Sequence, residues 1–284
     1  MNKFNCFVIT LLCSVFAFGQ NSLLNEITAE SDYENTFEMP AFKAMKVVNN
    51  QSTKLAGKDD LYLYVGHRFG AVRGGISSLF GLDYANTKIE MLYGLFNEVQ
   101  VGFSRESFKK TYNLHVKYGI KRQTNNFPVS IVGYNSINLD TSLDENVYPN
   151  LNYNERYVYI SQLLISRRFS DKFSLQLSPS VIKHNFLTTQ AETDYNYVLN
   201  TGSRLKISKR SSFNIDYSYH LNRLKNSSEK NVLSLGIDME TGGHVFQLLF
   251  SNTQASDEAG VLTGAEGDWL KGDVYFGFNI LRVF

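Results

Sequence analysis

Apolar and polar residues alternate along the chain from residue 61 to its end, and this pattern restricts the fold to β-structure. In the segment 112–121, every second residue is apolar: Tyr112, Leu114, Val116, Tyr118 and Ile120. The residues between them are polar or small: Asn113, His115, Lys117, Gly119 and Lys121. A period of two residues places each class on its own face of a strand, whereas a helix requires a period of about 3.6 residues. Segments 213–222 and 233–240 repeat the pattern, so each is predicted to be a half-buried strand.

About twelve such segments occur, each near the roughly ten residues with which a tilted strand crosses a bilayer. Their predicted starts lie near Leu61, Lys88, Glu98, Thr111, Pro128, Glu155, Lys172, Asn196, Ser212, Val232, His244 and Gly272. Tight turns are predicted at Phe96-Asn97, Asn125-Asn126, Ser170-Asp171, Arg210-Ser211 and Gly242-Gly243. Longer connections alternate with these turns, at 69–86, 140–154, 185–195, 223–231 and 251–271. Only the link 106–109 is short where the alternation requires length.

Short and long connections in alternation are typical of a transmembrane β-barrel, with short turns in the periplasm and long loops outside the cell. The predicted fold class is therefore an all-β, antiparallel transmembrane β-barrel of about twelve strands over residues 61–284. In a soluble β-sandwich, there is no physical reason for short and long loops to alternate along the chain. A soluble lipocalin-type barrel would point its apolar residues inward, and the period alone does not distinguish inward from outward.

Residues 1–20 are interpreted as a secretory signal peptide that is cleaved on export. An almost unbroken apolar run covers residues 7–18, which is too short for a membrane-spanning helix. Small residues near its end favour cleavage after Gly19 or Gln20. Together with the barrel pattern, this signal predicts a location in the outer membrane of a Gram-negative cell.

Both cysteines of the chain, Cys6 and Cys13, lie inside the predicted signal peptide. The exported protein is therefore expected to have no disulfide and no cysteine metal site. A lipoprotein anchor on Cys13 is disfavoured, because the residue before it, Leu12, is large where lipoprotein processing requires a small one.

Residues 21–60 precede the first predicted strand and are expected to form a periplasmic N-terminal segment. Its front half is acidic and polar, a composition typical of a flexible tail. Residues 41–48 alternate weakly and include Lys43 and Lys46. This stretch could plug the lumen, add a strand or bind a periplasmic partner, and we expect it to run along the barrel rim.

The last predicted strand carries Phe276, Phe278, Ile280 and Phe284 on one face. This arrangement is similar to the C-terminal signal that the barrel-assembly machinery reads, although Arg282 stands at a position that is usually apolar. Aromatic residues near other segment ends predict contact with outer-membrane lipid at the level of the headgroups. They are Phe127, Phe169, Phe173 and Phe213 on one rim and Tyr112, Tyr157, Tyr159 and Tyr219 on the other.

Four sequence blocks resemble a known family. They are HRFG (67–70), LFGLD (79–83), TGGHVFQL (241–248) and GDWLKGDVYFGFNILRVF (267–284). Over residues 42 to 284 the chain is similar to a β-barrel outer-membrane family of Bacteroidota, domain of unknown function 5777. The resemblance implies an outer-membrane barrel and implies neither a substrate nor catalytic residues.

The polar strand faces carry charges of both signs, which we expect to line the lumen. These candidates are Arg68, Lys88, Glu90, Lys117, Lys121, Arg204, Lys206, Asp216, Asp238, Glu240 and Asp273, with His115 and His220. No His-x-x-x-His or His-Glu-x-x-His spacing occurs, so neither a metal site nor a cofactor is predicted. The 28 Lys+Arg and 27 Asp+Glu residues give a net charge of +1, which disfavours a nucleic-acid partner.

Opposed charges across a pore select solutes, so the leading prediction is a passive pore for small hydrophilic solutes. Loops 69–86 and 251–271 would gate its entrance. The alternative is a non-conducting structural or secretion-associated barrel that serves as a platform for envelope protein partners. A lipid-modifying enzyme is disfavoured, because it needs an outward histidine beside a serine, whereas His115 and His220 lie on polar faces.

Overall fold

The computed structural model describes residues 40–187 and 193–284. The predicted signal peptide and the acidic front half of the N-terminal segment lie outside the described residues. Within the described part of the chain, no helix is both long and apolar enough to cross a membrane.

Twelve antiparallel strands form one closed barrel, in which each strand pairs with its neighbours in sequence and β1 pairs with β12. The strands are β1 (Leu61–Ala71), β2 (Ala85–Phe96), β3 (Val99–Glu106), β4 (Tyr112–Lys121), β5 (Ser130–Leu139), β6 (Tyr157–Arg168), β7 (Phe173–His184), β8 (Tyr195–Lys206), β9 (Ser211–His220), β10 (Val232–Thr241), β11 (His244–Ser251) and β12 (Tyr275–Val283). The predicted fold class and strand number are confirmed. Each strand starts within three residues of its predicted start, because the period of two marks every one of them in the sequence.

Closure of the barrel depends on the pairing of its first and last strands. Val65 lies opposite Ile280 and Leu63 lies opposite Arg282 in an antiparallel register. The ladder therefore runs around the whole barrel, and no sheet edge is left without a partner strand. This matters in a bilayer, where unpaired backbone groups find no water to bond.

The apolar face of the strands points outward and the polar face points into the barrel. Leu114 is 59% exposed on the outer wall, whereas the next residue, His115, is 3% exposed. Strand β2 shows the same division, with Ile89 outside and Lys88 fully buried inside. The lipocalin-type alternative is therefore wrong, because its faces would be reversed.

Connections alternate in length around the barrel as predicted, except that Asn125-Asn126 lies in a longer connection than the tight turn expected there. At one end, here called the turn end, the connections are 97–98, 122–129, 169–172, 207–210 and 242–243. At the other end, here called the loop end, they are 72–84, 107–111, 140–156, 185–194, 221–231 and 252–274. The connection 107–111 is the short exception among them, as expected.

Two stretches of chain fill the interior of the barrel. Residues 41–52, here part of the inner segment (residues 41–56), are buried inside the strands except for the exposed Lys43, and Val47 is completely inaccessible. The expected path along the barrel rim is therefore wrong for these residues. From the loop end, the connection 252–274 folds inward and forms the short helix α1 (Glu258–Thr263), and this part of it (residues 252–265) is called the inner loop.

Candidate functional site

The inner segment folds back on itself as a small hairpin. The backbone N–H of Val47 donates to the carbonyl oxygen of Asn50 at 2.8 Å, and that of Ser52 donates to the carbonyl of Met45 at 3.0 Å. Lys46 and Gln51 form an antiparallel bridge between the two arms. Asn49 and Asn50 occupy the tip, where asparagine is favoured because its side chain bonds locally to the backbone.

One carboxylate of the barrel wall holds the tip of this hairpin. Oδ2 of Asp216 in β9 accepts backbone N–H bonds from Val48, Asn49 and Asn50 at 3.2, 2.8 and 3.0 Å. Successive backbone N–H groups that converge on one anion form a concave anion-binding site, and here the anion is part of the protein. Asp216 therefore fixes the depth to which the inner segment enters the lumen.

Amide side chains of the wall satisfy further backbone groups of the inner segment. Gln247, Asn279 and Gln176 donate to its backbone carbonyls, at 3.3, 3.1 and 2.7 Å respectively. Gln100 accepts the backbone N–H of Ala56 at 2.8 Å. The hairpin pairs only some of its own backbone groups, so these side chains supply hydrogen bonds that a sheet or water would otherwise provide.

Two glycines on the inner face of the barrel wall allow close packing of the inner segment. A Cβ atom at Gly202 would lie 3.0 Å from the side chain of Val47, and one at Gly236 would lie 3.1 Å from that of Val48. Glycine on the inner face of a strand marks a place where another part of the chain approaches closely. The barrel and the inner segment are therefore shaped for each other.

The inner loop is held in a different way. Asp257 caps α1 by accepting the backbone N–H of Gly260 at 3.0 Å, which orients the helix. The apolar side of α1 packs into a buried cluster made of Ala259, Leu262, Ile160, Ile182 and Val198. Burial of these apolar side chains stabilises the docked helix.

The inner segment and the inner loop meet at a buried group of charges, here called the charge cluster (Lys46, Gln51, Lys88, Glu90 and Glu258). The carboxylate of Glu258 accepts from Lys46 Nζ at 2.7 Å, from Gln51 Nε2 at 2.9 Å and from Lys88 Nζ at 3.1 Å. Glu90 lies 3.7 Å from the same Lys88. The cluster joins chain that enters from the turn end to chain that enters from the loop end.

The ionisation of Glu258 follows from these neighbours. Burial raises the pKa of its carboxyl group, and the ammonium groups of Lys46 and Lys88 lower it by more. The pKa therefore lies well below its ordinary value, and the carboxylate is charged at neutral pH.

Most predicted lumen residues are inside the barrel. The buried ones are Arg68, Lys88, Glu90, His115, Lys117, Arg204, Asp216 and Asp238. Glu240 is partly exposed and lies 3.5 Å from Arg204. The structure thus brings Lys88, Glu90 and Lys117 to the charge cluster, where Lys117 donates to Gln51 Oε1 at 3.3 Å.

Four predicted lumen residues lie elsewhere. Lys121 follows a register shift in β4 and is exposed at the turn end, with its ammonium group 5.5 Å from the Phe127 ring centroid. Lys206 is half-buried at the turn end of β8, and His220 is half-buried at the loop end of β9. Asp273 lies in the connection before β12, paired with Arg73 at 3.0 Å. These positions are at strand ends or beyond them, where the period of two no longer fixes the facing.

Sequence reasoning missed Glu258 and the partner role of Lys46. A helix start was readable in residues 257–262, where an aspartate precedes small and apolar residues. The glycines on the polar faces of β8 and β10 were a second signal, since they have no side chain to line a lumen.

Two of the histidines lie beside polar neighbours of the barrel wall. His115 Nδ1 lies 2.9 Å from Asn113 Oδ1 and 3.6 Å from Glu90. On the outer wall, His67 Nδ1 lies 2.9 Å from Thr87 Oγ1, a pair that the sequence analysis did not consider. Over residues 40–187 and 193–284, no group of three or more His, Cys, Asp and Glu side chains is placed to hold a metal ion.

Cavities remain at both ends of the filled lumen. The cavity at the turn end is lined by residues of the inner segment, including Phe42 and Thr53, and by Arg122 of the wall. The cavity at the loop end is lined by Arg156, His220 and other residues of the outer connections. The inner segment and inner loop lie between these cavities, as a plug lies between two vestibules.

Comparison with known proteins agrees with this architecture. In solved structures, the barrel is similar to the NanC porin, with a TM-score of 0.50 at 10% identity over 79% of this chain and 98% of the porin chain. Two others are the KdgM porin, with a TM-score of 0.48 at 10% identity over 79% and 99% of the chains, and the outer membrane protein Omp33 of Acinetobacter baumannii, with a TM-score of 0.41 at 9% identity over 80% and 99%. At such identities the likeness concerns the fold alone. No curated protein matches the chain significantly in sequence.

A family model described as a membrane bound beta barrel domain matches residues 42–284. The match begins inside the inner segment, so the family domain includes the part of the chain that fills the lumen as well as the strands around it. The expected family is confirmed: the chain belongs to the membrane-bound β-barrel family DUF5777.

Proposed function

We propose that the protein is a porin-like barrel of the outer membrane that is closed at rest and passes small hydrophilic solutes when its inner segment or inner loop withdraws. The filled lumen is the observation that carries the closed state. The fold likeness to a porin and the two vestibules support passage between the ends.

The chemistry of the lumen is suited to a plug that can leave. The inner segment donates backbone N–H groups to Asp216 and accepts hydrogen bonds from Gln247 and Asn279, and water can replace each of these partners. Withdrawal would uncover a wall that is mostly polar, with a few inward-facing apolar side chains such as Leu92 and Leu249 among the polar ones. A lumen of this kind remains wet when the plug moves, as a passage for hydrophilic solutes requires.

In this proposal the turn end faces the periplasm and the loop end faces the outside. Short turns face the periplasm in outer-membrane barrels, and both ends of the strand array, Leu61 and Val283, lie at the turn end. The inner segment therefore enters the lumen from the periplasm. The inner loop enters it from the cell surface.

A reversible covalent link across the plug tests the proposal. In the variant Val47→Cys with Gly202→Cys, the two Cβ positions are 3.5 Å apart, within the range of about 3.5–4.5 Å for a disulfide. The exported chain is expected to contain no other cysteine. We expect discrete conductance steps in planar bilayers under reducing conditions and silence after oxidation, with recovery on reduction.

The single variant Val47→Cys serves as the control, because it cannot form the link and should conduct equally under both conditions. Folding is verified by heat-modifiable gel mobility. If the reduced, folded protein shows no conductance, the proposed passage is wrong and the barrel is non-conducting. Equal conductance of the oxidised and reduced forms would show that solutes pass without movement of the inner segment.

A second candidate function is a permanently closed platform for an envelope protein partner. The extent of the docking favours it, since Asp216 alone accepts three backbone N–H groups of the inner segment. In that case the reduced double-cysteine variant is silent, and a periplasmic or secreted protein co-purifies with the barrel in stoichiometric amount.

A further inference from the structure

We propose that Lys46, Gln51 and Lys88 form a carboxylate-binding site in the lumen, which Glu258 occupies at rest and which a small carboxylate-bearing solute occupies when the inner loop withdraws. The inference rests on the proposed function and names the class of solute that the open barrel would hold.

The geometry around Glu258 is that of a bound ligand. Its two carboxylate oxygens receive bonds from three different side chains, at distances of 2.7 to 3.2 Å. None of the donors comes from the inner loop: Lys46 and Gln51 belong to the inner segment and Lys88 belongs to β2. The donors would therefore stay in place if the loop alone moved out.

The charges of the site make it selective for an anion. Lys46 and Lys88 are both buried, and burial of a cation without a partner is costly. Lys117, also buried, lies close enough to donate to Gln51. Glu90 remains beside Lys88 at 3.7 Å, His115 lies 3.6 Å from Glu90, and the buried carboxyl group of Glu106 also interacts with Lys88. Loss of Glu258 therefore leaves three lysines facing two carboxyl groups of the wall.

The size of the space that Glu258 fills indicates the chemical class of the solute. Replacement of glutamate by alanine removes one methylene group and one carboxylate, which together have the composition of acetate. The variant Glu258→Ala therefore leaves a buried space that matches acetate in size and charge, with its donors already in position. A solute with a carboxylate on a short apolar stem fits the same space, whereas a neutral solute leaves the ammonium groups unpaired.

The test is binding of acetate to the folded, full-length barrel in detergent micelles. Saturation-transfer NMR detects weak binding through the acetate methyl protons. We expect saturable binding to Glu258→Ala, competition by formate and no competition by chloride at the same ionic strength. The wild-type protein should show no binding, because Glu258 fills the site.

Three variants serve as controls. Glu258→Gln removes the charge and keeps the side-chain volume, so it should not bind acetate. Glu258→Ala combined with Lys46→Met removes one of the donors and should lose at least most of the signal. Glu266→Ala removes an exposed carboxylate of the same connection and should behave as wild type.

Absence of saturable acetate binding in folded Glu258→Ala would overturn the site, as would equal binding in Glu258→Gln. Neither result depends on conductance. The double-cysteine experiment can therefore support passage while this experiment rejects the carboxylate site. Conversely, acetate can bind to the site in a barrel that the double-cysteine experiment shows to be non-conducting.

Discussion

The inner segment and the inner loop fill the same lumen by different physical means. The inner segment is held through its backbone, by side-chain amides and by Asp216, and in addition its Val47 packs in an apolar cluster with Leu249. The inner loop is held through its side chains, by the apolar cluster around Leu262 and by the charges on Glu258. Backbone contacts fix position independently of side-chain identity, whereas side-chain contacts depend on a few residues. The inner segment is therefore the deeper anchor, and the inner loop is the part more easily changed by substitution.

The largest effect is expected for Asp216→Ala. The substitution leaves three buried backbone N–H groups without an acceptor, at about 1–3 kcal/mol each, partly offset because a carboxylate is no longer buried. We expect the docking of the inner segment to weaken by about 3 kcal/mol or more. A cysteine placed at Val47 should then react with a membrane-impermeant thiol reagent about a hundredfold faster than in the parent.

Asp216→Asn is the matched control, because its amide oxygen can still accept from the backbone. It should recover most of the slow labelling. If Asp216→Ala labels as slowly as the parent, the backbone contacts do not anchor the inner segment and the comparison above is wrong. Trp269 follows the inner loop in the same connection and serves as its reporter in the same samples, since it is the one tryptophan of the chain and its Nε1 donates to Leu233 O at 3.1 Å. Its emission should stay unchanged.

The fold class, the strand number and the approximate start of each strand could be predicted from the sequence. Strands such as β7 alternate almost without interruption, and a period of two is a local property that each segment carries by itself. The order of strands followed from the connections, because short turns join neighbours. The facing of His115 and Asp216 into the lumen followed from the same period once the fold was known.

The contents of the lumen could not be predicted in the same way. Contacts such as Lys46 with Glu258 join residues far apart in sequence, and no local pattern records them. Residues 41–48 alternate too weakly to distinguish a plug from a rim segment. The misplacement of Lys121 has a local cause, since a register shift after Gly119 changes the facing by one residue.

A smaller effect is expected for Leu262→Ala in α1. The substitution removes apolar contacts with Ile160 and Ile182, and typical costs for a buried leucine are about 2–5 kcal/mol. A cavity lies against the neighbouring Ala259, so the site has room to adjust and we expect about 2 kcal/mol. As denaturant is added, the emission of Trp269 should shift to longer wavelength at a lower denaturant concentration than in the wild-type protein.

The labelling of a cysteine at Val47 should not change in Leu262→Ala, because the anchors of the inner segment are elsewhere. Val261→Ala, in the same helix, provides a matched loss of apolar volume outside that cluster. Faster labelling in Leu262→Ala but not in Val261→Ala would show that the inner segment and the inner loop leave the lumen together. The two would then act as one cooperative unit and not as two independent plugs.

The smallest effect is expected for mild acid. Because the pKa of Glu258 is held well below its ordinary value, the contribution of its charge to docking is present above the unfolded pKa and is lost only as the pH falls through the folded pKa. Between about pH 7 and about pH 5, above the ordinary glutamate pKa of about 4.3, Trp269 emission should remain constant. Any shift that Glu258→Gln shows equally belongs to other groups. A shift of wild type alone in this range would mean that Lys46 and Lys88 hold the carboxylate weakly, and the inner loop would then be a pH-sensitive plug above an inner segment that is not.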